Sequence, residues 1–516
     1  MTTVPDRRPP GLPLILSGIF FLLALIQISR HIMWRDELRP WQIIQQTSNP
    51  IAAQHEMRFD AVPMLWNEII FVLTRFTQNP FLMQFVHVLF ATAVVFVFTQ
   101  CSPFPKLAKV LFPFGYFTFY EYAVISRNYV LVFLLMMIAC ALITQPRVKM
   151  LWLTLVLGLL TQASIWGAGI AGLLMLVALV KCYFTEPALQ PRPWQVSLLS
   201  TVVLFGVALA YFESLPGPGP TFTATWLNAG SIQKFMGTFC AIYRAWFPVP
   251  AFSGHFWNSN LLDQVPTLQF LVGLILFAAA IVALINRPIA LGFFVLGYIA
   301  LMAFEFHFRG SARHHGHLFM ILIAACWIAT STVKYEILKI PALEQIREQG
   351  LTVLFGVHAV IGVFVALAGL VIPFSASWAT ARYIKANISE NTILVAVDDY
   401  CASPIATWLS KPIYFPQMQA LAIVNTQNPE ARIDLTMQTL LTKVFELSAA
   451  NQTQVLLLLS SGRPPIAEHD VLITLPPIAN IPNPALQMQV LPRFEEGVVA
   501  DESESLYLLR AVTYEK

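Results

Sequence analysis

Residues 12–37 read LPLILSGIFFLLALIQISRHIMWRDE, and the interpretation of that stretch decides the fold. The apolar run from Leu12 to Met33 follows Arg7 and Arg8, carries no small-residue cleavage site, and passes straight into Trp34-Arg35-Asp36-Glu37. A run of this length crosses the hydrocarbon of a bilayer, and without a cleavage site it reads as a retained anchor, not a signal peptide. Further runs cover roughly 80–100, 106–121, 127–144, 150–163, 167–183, 194–213, 265–285, 288–305, 315–332 and 351–374. The run at 150–163 is short and needs its neighbours to complete a span. Composition agrees: of 516 residues, 57% are hydrophobic and 11% charged, against about 25% charged in a soluble domain. The mean hydropathy is +0.66. An ordinary soluble enzyme, a disordered chain and a nucleic-acid binder are excluded, and a net charge of +3 implies no polyanionic partner. The expected fold is a polytopic α-helical membrane protein of about eleven spans.

Alternating the spans puts Arg7/Arg8, Lys106/Lys109, Arg147/Lys149, Lys181/Arg192, Arg287 and Lys334/Lys339/Arg347 on one side. Every connection on that side carries Lys or Arg, so it is the cytoplasmic one and the N-terminus lies there. An odd number of spans then places 375–516 outside, giving a transmembrane domain over 1–374 and an extracytoplasmic domain over 375–516. In the tail, Ile393–Val397, Val455–Leu459, Val471–Leu475 and Leu506–Leu509 read as buried strands. Helical patterns at Trp378–Ile388 and Ile433–Ala449 alternate with them, which predicts an α/β domain with a partly parallel sheet. No glycine-rich phosphate loop follows any of these strands. The six cysteines show no paired spacing.

Two outer loops are long. The first covers 34–79. The second, 214–264, opens with the breaker Leu215-Pro216-Gly217-Pro218-Gly219-Pro220, and its apolar residues from Ile232 to Trp246 recur at helical spacing. That pattern predicts an amphipathic helix at the interface, either a packed loop helix or a lid. Trp34, Trp41, Trp166, Trp226 and Trp246 read as interfacial anchors.

The outer turns also collect charge that the topology does not need. Arg35, Arg39, Arg58 and Arg75 interleave with Asp36, Glu37, Glu56, Asp60 and Glu68 in the first loop. Glu121 and Arg127 bracket the turn after the third span, and His307, Arg309, Arg313, His314, His315 and His317 crowd the turn before the tenth. Charges held near a bilayer surface cost free energy unless solvated or paired. Such placement predicts one cavity at the outer leaflet lined by carboxylates and guanidiniums. Arginine binds phosphate in a two-pronged fashion, while a carboxylate can deprotonate an acceptor hydroxyl or amine. A lipid-linked phosphate donor needs both. Structural pairing is the plain alternative for Arg58 with Asp60 and for Glu121 with Arg127. His315 and His317 are too close on a helix to share a face, which argues against a histidine metal site.

Trp34-Arg35-Asp36-Glu37 and Arg58-Phe59-Asp60-Ala61-Val62-Pro63-Met64-Leu65-Trp66 resemble the first outer loop of the GT-C superfamily. These are membrane glycosyltransferases that use polyprenyl-phosphate sugars, such as the protein O-mannosyltransferases and lipid A aminoarabinose transferases. Tyr120-Glu121-Tyr122-Ala123-Val124-Ile125-Ser126-Arg127-Asn128-Tyr129 is similar to the family's segment between the third and fourth spans. The resemblance covers residues 12–145, and the remainder by architecture only. It implies Asp36 as catalytic base, with Glu37 supporting Asp36 or a divalent metal ion; no cofactor is otherwise implied. Arg127, Arg313 and Arg58 would bind the donor phosphate, and Asp60, Glu121, His55 and His314 the acceptor or sugar. One departure is Val62-Pro63 where the family often has His-Pro, so that histidine's role is either absent here or supplied by His55.

The partners implied are a polyprenyl-phosphate-linked sugar, membrane lipids and an acceptor of unknown class, at the plasma (inner) membrane. Two other classes compete. A transporter or flippase of a lipid-linked or anionic solute needs ionisable groups deep in the spans and a repeat between halves; His87 and His358 are the main such groups and no repeat is evident. A glycan-binding membrane protein with a degenerate site would keep the fold without the chemistry.

Overall fold

The computed structural model describes residues 11–60, 62–184, 189–215, 232–307, 310–340, 342–424, 433, 435–460, 465–478, 481 and 483–513. Arg7, Arg8, residues 216–231 (with Trp226) and Arg309 lie outside the described residues, as does the side chain of His307. The chain begins with α1 (Gly11–Ile28), then α2 (Arg35–Gln45), α3 (Pro50–Glu56) and α4 (Met64–Thr74) in the first loop, followed by α5 (Phe81–Cys101) and α6 (Lys106–Leu111). Next come α7 (Tyr129–Ile143), α8 (Met150–Thr161), α9 (Ile165–Tyr183), α10 (Pro193–Glu213) and α11 (Ile232–Trp246). The bundle ends with α12 (Pro266–Leu284), α13 (Pro288–His307), α14 (Ala312–Ala329) and α15 (Leu343–Val371). Among the described residues, seven helices are long and apolar enough to cross a membrane: α1, α5, α9, α10, α12, α13 and α15. The chain is an integral membrane protein. α7 and α8 are shorter apolar helices, and α14 carries Arg313 and three histidines in its first turns.

α14 sits at the centre. Every residue from His314 to Ala329 is buried, as expected of a helix packed on all sides. α10 and α12 are instead mainly outward-facing, with Phe205 and Ile275 exposed, which suits lipid contact. The run at 106–121 is broken. Pro113 has no amide hydrogen to donate and Gly115 is extended, so α6 stops, a short turn follows, and Tyr116–Glu121 winds as a π-helix. Gly362 of α15 packs on this break, where a methyl group would collide with the Phe114 carbonyl. In α11, Phe239, Ile242, Tyr243 and Trp246 are buried while Ile232 and Phe235 are exposed. Its end is locked into the bundle: Trp246 Nε1 donates to Tyr298 Oη at 2.8 Å. Trp34, Trp41, Trp166 and Trp246 are also buried in protein and so do not act as interfacial anchors.

The tail contains α16 (Ser377–Asn387), β1 (Ile393–Ala396), α17 (Asp399–Leu409), β2 (Ile413–Phe415), β3 (Ala420–Ala422), α18 (Met437–Asn451), β4 (Val455–Ser460), β5 (Val471–Thr474), β6 (Pro484–Phe494) and β7 (Glu504–Thr513). They build one seven-stranded sheet ordered β3-β2-β1-β4-β7-β6-β5. β1 runs parallel to β2 and β4, and the other pairings are antiparallel. β6 escapes a pattern search because Gln487, Gln489 and Arg493 interrupt it and Pro492 lies where its register with β7 shifts. The tail docks on the loop end of the bundle: Val498 and Val499 donate backbone hydrogen bonds to Pro373 and Phe374 at 2.9 and 3.0 Å. Gln42 of α2 also donates to the Ser403 carbonyl of α17 at 3.1 Å.

Glu504 starts β7 fully inside the tail. Burial, with Asp398 and Glu502 nearby, pushes its carboxyl well above the usual carboxylate range. The folded tail therefore retains a proton that the unfolded chain releases above about pH 4.3, so stability falls as pH rises from there. Glu504→Gln is expected to raise the thermal midpoint at pH 8 and to flatten its decline between pH 5 and pH 8, followed by thermal unfolding in detergent. An unchanged pH slope would contradict the assignment.

Candidate active site

The site is built around the first turn of α2. Trp34 is its N-cap, and the Glu37 side chain reaches back to accept the Trp34 backbone N–H at 3.3 Å. Glu37 is fully buried. It also accepts from His31 Nε2 at 2.7 Å and from the Ser126 amide at 2.6 Å. It therefore ties the exit of α1 and the turn before α7 to α2. Pro40 adds a second device. It lies inside α2 and has no N–H, so the Asp36 carbonyl four residues earlier lacks its helical donor. An Arg127 Nη1 hydrogen bond fills that position.

The Asp36 carboxylate is a quarter exposed, at 26%. Its Oδ2 lies 3.0 Å from Arg313 Nη1, and its Oδ1 3.9 Å from Arg35 Nε. Burial alone would raise the Asp36 carboxyl. The guanidiniums of Arg313, Arg127, Arg35 and Arg39 outweigh it and hold the group below its usual value. Arg313 reaches this place from the start of α14, where Asn258 Oδ1 accepts the Ala312 amide at 2.8 Å and Tyr122 Oη donates to the Arg313 carbonyl at 2.6 Å. Its guanidinium carbon is 5.3 Å from the Trp34 ring centre and 5.7 Å from that of Trp257. The Nε atoms of Arg313 and Arg127 are buried without a hydrogen-bond partner among the described residues.

Glu121 ends the π-helix and is buried; it accepts from Tyr116 Oη at 3.0 Å and Trp257 Nε1 at 3.2 Å. Trp257 in turn stacks edge-on to Trp34 at 4.8 Å. Asp60 is bridged by Arg39, whose Nε lies 2.9 and 3.2 Å from its two oxygens. His314 accepts the Ser311 amide on Nδ1 at 2.9 Å, so its proton sits on Nε2, 3.0 Å from Tyr129 Oη. His315 Nε2 is 3.6 Å from Glu305, whose carboxylate also accepts the Gly310 amide at 2.8 Å.

Asp36, Arg127 and Arg313 thus meet directly, Glu121 joins through Trp257, and His314 lies one residue from Arg313. Glu37 occupies a separate buried position with its oxygens engaged. His55 and Arg58 do not join the group. His55 is exposed and pairs with Arg58 Nη1 at 2.9 Å. No cluster of three or more His, Cys, Asp or Glu side chains suited to a metal occurs among the described residues. Sequence reading missed Arg39 as the partner of Asp60, the acid Glu305, and the struts His31 and Trp257. Only Glu305, an acid at the end of a span, offered a signal there. Chemically, the arrangement offers an anion two guanidiniums beside a carboxylate that one of them now neutralises.

No protein-family model matches this sequence, and no curated protein matches it. Among solved structures, the chain is similar to ArnT from Cupriavidus metallidurans bound to undecaprenyl phosphate. That match has 13% identity and a TM-score of 0.42, and it covers 96% of this chain and 98% of that one. The apo state of the same protein matches at 13% identity and a TM-score of 0.41, with the same coverage. The mycobacterial arabinofuranosyltransferase AftD matches at 12% identity and a TM-score of 0.33, covering 99% of this chain and 42% of that one.

Proposed function

We propose that the chain is a GT-C-type membrane glycosyltransferase that moves a sugar from a polyprenyl-phosphate carrier to an acceptor at the outer face of the membrane. The N-terminus is cytoplasmic in this reading and the sheet domain extracytoplasmic. The observation that supports it most is Arg313 held 3.0 Å from Asp36 with its Nε buried and unpartnered. Buried N–H groups of a cation without acceptors are costly, and a phosphate supplies the missing ones.

The chemistry is a single displacement. The donor phosphate draws Arg313 and Arg127, which loosens Arg313 from Asp36 and restores the carboxylate as a base. Asp36 takes the proton of the acceptor nucleophile as that atom bonds to the anomeric carbon. The bond from that carbon to the phosphate oxygen breaks, and its electron pair leaves on the lipid phosphate. Arg127 and Arg313 stabilise this charge, and the configuration inverts. Glu121 and His314, with Asp60 beside Arg39, line the route for sugar or acceptor. No step is assigned to a metal ion.

The test is sugar transfer in proteoliposomes carrying a polyprenyl-phosphate sugar. Asp36→Asn should lower kcat by about 10²–10⁴-fold, the usual contribution of a positioned base, while the protein remains folded and retains the carrier. Unchanged transfer would refute the assignment. Glu37→Ala should instead lose folded protein, since it strands several buried donors at about 1–3 kcal/mol each; a thermal midpoint equal to the parent's would contradict its role as a strut.

The pH profile gives a second check. With its carboxyl held low, Asp36 stays ionised below the ordinary value of about 3.9, so kcat/KM should remain flat down to about pH 4. Arg313→Gln removes the largest of the lowering charges, and the acid limb should then move to higher pH as the rate falls. A limb that stays in place would separate Arg313 from the base.

A further inference from the structure

The sheet domain meets the first turn of α2 at a buried carboxylate. Glu502 lies in a short 3-10 turn, Ala500–Glu502, just before β7, and its side chain has no exposed area. Its Oε1 accepts the Arg35 backbone N–H at 2.8 Å across a separation of 467 residues, and lies 3.6 Å from Arg35 Nη1. That amide is one of the donors a helix leaves unsatisfied at its start, and a negative charge there also faces the positive end of the helix dipole. The Arg35 guanidinium is held between two rings, 4.9 Å from the Trp34 centre and 5.2 Å from that of Tyr400 in α17. His255 Nδ1 reaches the Gly497 carbonyl at 2.7 Å, so the second outer loop also grips the connection from β6 to Glu502.

We infer that the sheet domain belongs to the reaction centre through Glu502, a positioning residue that fixes the first turn of α2 and limits how closely Arg35 approaches Asp36. Arg35 Nε already stands 3.9 Å from Asp36 Oδ1. Glu502 competes for the same cation from the opposite side. Without it, Arg35 swings onto Asp36, and the carboxylate becomes doubly paired and a weaker proton acceptor when the acceptor arrives. Glu502 touches neither sugar nor phosphate; it acts through Arg35 and the helix end. The catalytic half of this inference rests on the proposed transferase function, whereas the docking half does not.

Two measurements on the full chain in nanodiscs test it. The first is hydrogen exchange of α2. Glu502→Ala should speed exchange of amides in the first turn of α2 by at least about tenfold, with the spans unchanged; that size corresponds to losing one charge-assisted hydrogen bond. Glu502→Gln, which keeps an acceptor of the same shape, should have a smaller effect and guards against a variant that fails to fold. Equal exchange in parent and both variants overturns the inference, whether or not the protein transfers sugar.

The second measurement is transfer kinetics. Glu502→Ala should lower kcat by about 10- to 100-fold, as small misplacements of a reacting group do, with the donor KM within about twofold of the parent's. The acid limb of kcat/KM should move to lower pH, because Arg35 then adds its charge to Asp36. In an Arg35→Ala background, the same Glu502 change should leave the acid limb in place and cost less than in the parent, since only the contact to the helix end is then lost. Additive losses with no shift of the limb would reduce Glu502 to a general prop and overturn the inference. A parent protein that transfers no sugar would refute the proposed function itself, and the exchange result would still decide the docking.

Discussion

The buried carboxylate of Glu37 is the constraint on which the rest of the outer end depends. A charge removed from water is tolerable only when donors surround it, and here His31, Trp34 and Ser126 supply them. Those residues belong to the exit of α1, the cap of α2 and the turn ahead of α7. Once their positions are shared, the neighbouring side chain, Asp36, has little choice of direction, and Arg127 is brought beside it from the same turn. The placement of Asp36 thus follows from the solvation demand of the residue next to it.

The surrounding backbone breaks local rules at the points where the site needs it. Pro40 interrupts a helix and leaves an acceptor for Arg127. Pro113 and Gly115 follow the end of α6 so that a π-turn brings Glu121 within reach of both donors, Tyr116 Oη and Trp257 Nε1. Irregularities of this kind weaken the helices that contain them and gather where side chains must be aimed. α14, by contrast, is regular and buried on every face, which makes it a firm base for Arg313 at its first turn.

Much of this was legible in the chain. Apolar length located the helices of the bundle, of which seven among the described residues are long enough to span against about eleven expected, with the run at 106–121 broken; the conjunction of acids and arginines at three outer turns pointed to Asp36, Arg127 and Arg313, which lie together. Choice of partner was not legible. Asp60 is paired by Arg39, which sits about one helical turn beyond Asp36 in α2, rather than by Arg58, its neighbour in sequence. His55, assigned the role of an absent histidine, is solvent-exposed because α3 turns it outward beside Glu56. Of the tryptophans read as belt residues, Trp34 is buried beside the Arg313 guanidinium, and Trp41 and Trp246 are buried with their N–H groups donating to the Gln78 carbonyl and the Tyr298 hydroxyl. β6 and α17 lacked a clean period, since Pro492 and Pro404 interrupt them.

The cap on α2 comes from a residue 467 positions further along the chain. During biosynthesis the first loop must therefore wait while every later helix of the bundle is made and the sheet domain closes around β7. Until then the start of α2 lacks one of its acceptors and Arg35 lacks its counterweight. The first turn of α2 thus reaches its final form only when residues near the far end of the chain have folded.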